Sequence, residues 1–114
     1  MSGTASVEDV RAIRYFASLN DAEAEAVARG LPRLEFEPRS LVFAEGDEPR
    51  GFYLLRSGKA RIFRTGPDGR EQSLRIVSPG DTFAEVPVFD GGPNPASVEA
   101  LTHCEVIQVP RQIL

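Results

Sequence analysis

At Leu34 the hydrophobic period of this chain changes from helical to two, and from there to the end turn signals recur about every ten residues. Leu34 and Phe36, Leu41 and Phe43, Phe52 and Leu54 or Tyr53 and Leu55, Ala60 and Ile62, and Leu74 and Ile76 alternate within short runs. The runs are bounded by turn-forming residues at 37–40, 45–48, 57–58, 66–69 and 78–81. Many short strands with this rhythm close into a small antiparallel barrel or jelly roll. The 33 residues before them read differently. Val7, Val10, Ile13 and Tyr15 set out a helical face over 7–16 that Ser6 is placed to cap. Asn20 and Glu23 have capping-box spacing at the start of a second, Ala-rich helix. That helix is expected to stop at Gly30-Leu31-Pro32, with Gly30 in the left-handed conformation.

A length of 114 residues suits one domain, expected here to run over 1–114 as a helical lead (1–31), a β-roll (32–110) and the start of a further helix (111–114). Apolar runs fall far short of the ~20 residues that cross a bilayer. The first residues carry no basic segment followed by an apolar one, so a cytoplasmic protein without a membrane partner is expected. The single cysteine, Cys104, cannot pair within the chain or supply the thiolates of an iron–sulfur cluster. A net charge of −4 argues against nucleic-acid binding by the chain as a whole. Lys59, Arg61, Arg64, Arg70 and Arg75 do gather against Asp68 and Glu71 between 58 and 75, a pattern read as a solvated hairpin face.

Catalysis finds little footing. One histidine, His103, cannot build the multi-histidine metal site of a cupin, and no nucleophile elbow or phosphate loop of the GxxxxGK type occurs. Asp68, Glu71, Glu45 and Asp47 fall at turns, where carboxylates bond to backbone donors. No enzyme is expected.

Four segments in order, 43–47, 52–58, 60–64 and 77–83, with glycines at 46, 58 and 80, resemble the framework of the cyclic-nucleotide-binding domains of bacterial Crp/Fnr regulators. The resemblance covers 15–114, and the glycines are read as turn formers rather than ligand contacts. It implies a mainly β fold, an antiparallel double-stranded β-helix (jelly roll) with short N-terminal helices and a short helix in a phosphate-binding cassette. The segment 80–100 is similar to that cassette. In the family, as the resemblance implies it, backbone N–H groups and an arginine hold a cyclic phosphate while a carboxylate holds the ribose. On that pattern the site residues are Ala84, Glu85, Val86, Asn94, Pro95, Ala96 and Ser97, with Glu85 as the ribose carboxylate.

The cassette departs from the family pattern at the positions that matter most for charge. Asn94 stands where the arginine is expected, Pro95 where a hydroxyl donor is usual, Ala84 where glycine is usual, and Pro87 removes another N–H. An anion that loses water on binding needs oriented donors and a cation, and a carboxamide is neutral. The nearest other cations along the chain are Arg75 and Arg111. The resemblance therefore implies the effector-sensing domain of a Crp/Fnr regulator with a degenerate cassette that does not hold cAMP tightly. Residues 83–85 and 93–97 also resemble the dissimilatory nitrate respiration branch, which responds to nitric oxide through haem. Alternatives to nucleotide sensing are thus a haem sensor, with His103 or Cys104 as axial ligand, and a ligand-free dimerisation module; the cofactor stays unknown. A homodimer, and DNA contact through a helix-turn-helix beyond Leu114, are expected of the parent.

Overall fold

A computed structural model describes residues 3–114. Its elements run β1 (Gly3–Thr4), α1 (Val7–Ala12), a 3-10 turn (Arg14–Phe16), α2 (Asp21–Ala28), β2 (Pro32–Phe36), β3 (Leu41–Phe43), β4 (Gly51–Ser57), β5 (Ala60–Thr65) and β6 (Glu71–Val77). They continue through β7 (Thr82–Phe83), α3 (Glu85–Asp90), β8 (Ser97–Ala100), β9 (Cys104–Pro110) and a closing 3-10 turn (Arg111–Ile113). The strands form two antiparallel sheets, ordered β1-β2-β9-β4-β7 and β3-β8-β5-β6, the jelly roll that the sequence implies.

Local chemistry sets the helix starts. Ser6 Oγ accepts from Asp9 N at 3.1 Å while Ser6 N donates to Asp9 Oδ2 at 2.9 Å, and Asn20 with Glu23 forms the same reciprocal pair. The expected helix over 7–16 breaks at Ile13, which is extended (φ −91°, ψ 113°). The break turns Ile13 and Phe16 into the core beside Val10 and leaves Tyr15, expected on the apolar face, half exposed. Gly30 also departs from expectation, since it is absent from the left-handed glycines. A Cβ there would lie 3.0 Å from Ile113 Cδ1, so glycine serves the close approach of the last turn rather than a special φ.

The chain buries two cores on opposite faces of one sheet. Phe52 and Leu54 of β4, with Ile107 and Val109 of β9, pack outward against Val10, Ile13, Phe16 and Leu31. Tyr53 and Leu55 point inward to Phe83, Val98, Val106 and Cys104 between the sheets. Both of the alternations read in β4 are therefore real, because the helical lead covers the face that a simple sandwich leaves wet. Asp9 fastens the lead to that sheet: Arg56 Nε donates to Asp9 Oδ1 at 3.1 Å, and its Nη1 to Glu105 Oε1 at 3.0 Å.

Of the turn glycines, Gly58 is the most constrained. It has φ +94°, and a Cβ would sit 2.3 Å from the His103 carbonyl oxygen; Gly69 (φ +83°) has open space around it. Left-handed strain alone costs a side chain about 1–3 kcal/mol, and a backbone clash adds to it. Gly69→Ala is therefore expected to lower stability by about 1 kcal/mol and Gly58→Ala by about 3 kcal/mol or more in urea titration; equal losses would contradict the role of the close approach.

Candidate functional site

Residues 80–100 leave the roll and return to it. Gly80 turns the chain with φ +93°, and Ser78 N donates to Asp81 Oδ2 at 2.9 Å. β7 pairs with β4 through Tyr53↔Phe83 and Leu54↔Thr82, and α3 follows. Gly91 and Gly92, with φ +83° and +85°, end that helix. The return arm is then fixed to the loop after β3: Gly46 N donates to Asn94 O at 2.8 Å and Asn94 N to Asp47 O at 2.9 Å. One more bond joins them, from Glu45 N to Ser97 Oγ at 2.8 Å.

Between α3, the return arm and the sheet β3-β8-β5-β6 lies a cavity of about 300 Å³. Phe43, Ile62, Phe83, Ala96 and Val98 make it largely apolar. Phe43, Tyr53 and Phe83 stack at centroid distances of 5.3–6.4 Å, and Phe43 is shared with a second cavity of about 330 Å³ on the side of β2 and β4. Six of the seven residues singled out in the sequence, Ala84, Glu85, Val86, Asn94, Pro95 and Ala96, line the first cavity. Ser97 does not; its hydroxyl is used as the acceptor for Glu45 N.

Two cationic lining residues escaped the sequence reading as site residues. Arg64 of β5 and Arg75 of β6 both line the cavity, whereas Arg111 lies elsewhere, 3.6 Å from Glu48. A register shift brings Arg75 there. β5 pairs Ile62↔Arg75 and then Phe63↔Ser73, so Leu74 is an extra, bulged residue. Leu74 and Arg75, neighbours in sequence, consequently both line the cavity, and strict alternation gives no hint of it. Arg75 Nη2 donates to Thr82 O at 3.3 Å.

The donors and acceptors are unevenly used. Thr82 Oγ1 donates to Glu85 Oε2 at 2.5 Å, which fixes the carboxylate at the cavity wall. Asn94 is 4% exposed, and its carboxamide has no hydrogen-bond partner among the described residues. Pro87 sits in the first turn of α3 without an N–H to offer. Ala84, the residue before α3, holds φ +71° and ψ 23°, a conformation natural to glycine.

His103 and Cys104 lie apart from this cavity. His103 Nε2 is on the surface 2.9 Å from Glu35 Oε1. Cys104 is buried, its thiol donates to Lys59 O at 3.1 Å, and burial raises its pKa. No group of three or more His, Cys, Asp or Glu residues fit to hold a metal occurs among the described residues. A haem in the cavity would find neither residue in its walls.

Two outcomes follow from these placements. Ala84→Gly removes a left-handed side chain worth about 1–2 kcal/mol of strain, offset in part by backbone entropy, so a gain of about 1 kcal/mol is expected in urea titration; a loss would contradict the strain. The hydrogen bond from His103 holds Glu35 below its ordinary 4.5. A depressed acid stabilises the fold above that value and stops doing so as it protonates. The stability difference between the wild type and His103→Ala should therefore shrink as pH falls from about 5 to about 3, read from urea midpoints; a constant difference would exclude the contact as its source.

Comparison with known proteins agrees with this geometry. Residues 33–114 match the family described as cyclic nucleotide-binding domain. A CRP-like cAMP-activated global transcriptional regulator of Mycobacterium tuberculosis is 34% identical over 99 residues, covering 87% of this chain and 44% of that protein. The chain thus spans less than half the length of this relative. The N-terminal domain of a transcriptional regulator from Streptomyces coelicolor superposes with TM-score 0.82 at 30% identity, over 96% of this chain and 75% of that one. The sensor domain of the regulator DNR from Pseudomonas aeruginosa superposes with TM-score 0.84 at 22% identity, over 93% and 71%, which speaks to the fold alone. No helix among the described residues is long and apolar enough to cross a membrane. With its cassette, its turn glycines and its two-sheet roll in the family's order, the chain belongs to the cyclic nucleotide-binding domain family.

Proposed function

We propose that this chain is the effector-sensing domain of a Crp/Fnr-type transcription regulator, one domain over residues 1–114, whose cassette does not hold cAMP or cGMP tightly. It performs no catalysis, works in the cytoplasm, and serves a homodimeric parent that contacts DNA through another part. The relatives' names as transcriptional regulators support the regulatory reading.

One observation carries the cassette part of this reading: Asn94 is buried at the position of the expected arginine, with its backbone fixed by two hydrogen bonds. Its side chain reaches the cavity wall but brings no charge. Pro95 beside it has no N–H, and Pro87 removes another from α3. A buried anion that loses a charge-assisted partner gives up roughly 2–5 kcal/mol, or a factor of about thirty to several thousand in affinity. Arg64 and Arg75 are exposed residues of the cavity lining, outside the 84–86 and 94–95 segments where the family's pattern puts the phosphate contacts.

Calorimetric titration with cAMP and cGMP tests the proposal. The wild type is expected to bind neither below the millimolar range, and Asn94→Arg combined with Pro95→Ser to gain at least about thirtyfold for cAMP. Micromolar binding by the wild type would overturn it.

A further inference from the structure

We propose that the natural effector is a small amphipathic carboxylate, its apolar body inside the cavity and its carboxylate at the mouth between Arg64 and Arg75. This rests on reading the domain as an effector sensor and names the ligand class for the same cavity. The interior walls, Phe43, Ile62, Phe83, Ala96 and Val98, suit a ring or a short chain. At about 300 Å³ the cavity lies at the small end of the roughly 300–1,000 Å³ typical of small-molecule sites.

The distribution of polar groups gives the orientation. Arg64 is exposed, and its guanidinium has no ion-pair partner among the described residues. Arg75 is half exposed and spends one N–H on the Thr82 carbonyl; Asp81 is 4.0 Å away, too far for a hydrogen bond. Against these two cations the cavity wall holds one carboxylate, Glu85, already engaged by Thr82. Asp81 pairs with Arg75 and Glu85 lies in the wall, so the cation left without an ion pair among the described residues of the lining is Arg64, and the two guanidiniums offer planar donors that match a carboxylate. The interior carries the unpartnered Asn94 carboxamide, which is 4% exposed and offers both a donor and an acceptor to a hydroxyl or amide on the ligand body. A cyclic phosphodiester bound in the family's manner would meet Asn94 and Pro95 in place of a cation and a hydroxyl donor.

Amide-detected NMR titration of the full 114-residue chain tests this with 4-phenylbutyrate and its uncharged counterpart 4-phenylbutan-1-ol. Saturable shifts are expected at Ala84, Asn94, Ala96 and Val98, with the acid binding about tenfold or more tightly than the alcohol. Arg64→Gln combined with Arg75→Gln, both on the surface and outside the core, should erase that preference while the remaining spectrum is retained. Raising salt to about 0.5 M should weaken the acid alone. No saturable shift at these residues, equal affinities for acid and alcohol, or a preference that survives the double substitution would each overturn the inference. Tight cAMP binding in the parallel titration would instead overturn the underlying reading of the cassette. Silence to both ligand classes would overturn this inference alone and favour the ligand-free interaction module.

Discussion

The candidate cavity is shaped by a return arm tied to the loop after β3 by two main-chain hydrogen bonds and a third from a main-chain N–H to a side-chain hydroxyl. Gly46 N to Asn94 O, Asn94 N to Asp47 O and Glu45 N to Ser97 Oγ join segments about fifty residues apart. Each such bond contributes about 1 kcal/mol net, but its geometric effect is larger, because it fixes where the side chains at 94–97 start. Two of the three involve only backbone atoms of Asn94, so the direction of its Cβ is set independently of what the side chain is. Pro95 fits beside it because its neighbours carry the pairing. The cavity is therefore a consequence of strand return, and its polarity a consequence of which residue occupies 94.

The same logic governs the opposite side of the roll. β4 is buried on both faces, with Phe52 and Leu54 under the helical lead and Tyr53 and Leu55 between the sheets. Phe52 touches Tyr15 at 6.3 Å and Phe89 of α3 at 6.1 Å between ring centroids, and Tyr15 lies 5.5 Å from Phe89. The rings thus connect the lead, the central strand and the cassette helix in one contact set. Val88 of α3 belongs to the same outer core as Val10 and Ile13. The short cassette helix is held by these side chains more than by its own caps, since Ala84 provides no side-chain cap.

What the sequence revealed and what it hid divide along physical lines. Capping boxes at Ser6 and Asn20, turn glycines and the change of period are local signals, and they placed the helix starts, the turns and the roll. Six of the seven residues picked from the contiguous segment 84–97 line one cavity. Features that depend on two distant segments were not legible. The bulge at Leu74, which carries Arg75 to the cavity, appears only when β5 and β6 are in register. Ser97 looks like its neighbours in sequence, yet its hydroxyl goes to Glu45 N and away from the cavity. Gly30 carries the mark of a helix end but answers to Ile113. Leu74 and Ile76 alternate in sequence like the core pairs, yet both are about half exposed on an edge strand, because period reports which residues share a side and not what covers it.

Fold and ligand chemistry are separable in this domain for an energetic reason. The stabilising terms reside in the two apolar cores and in main-chain pairing, and neither uses the side chains at 94 or 95. Asn94 makes no side-chain hydrogen bond to the roll, so exchanging a cation for a carboxamide there leaves the folded chain its anchors. Binding of a buried phosphate, by contrast, depends on that one charge by several kcal/mol. On the proposed reading, a substitution that is nearly neutral for folding is decisive for the ligand. The family's framework persists around a cavity whose lining cations are Arg64 and Arg75.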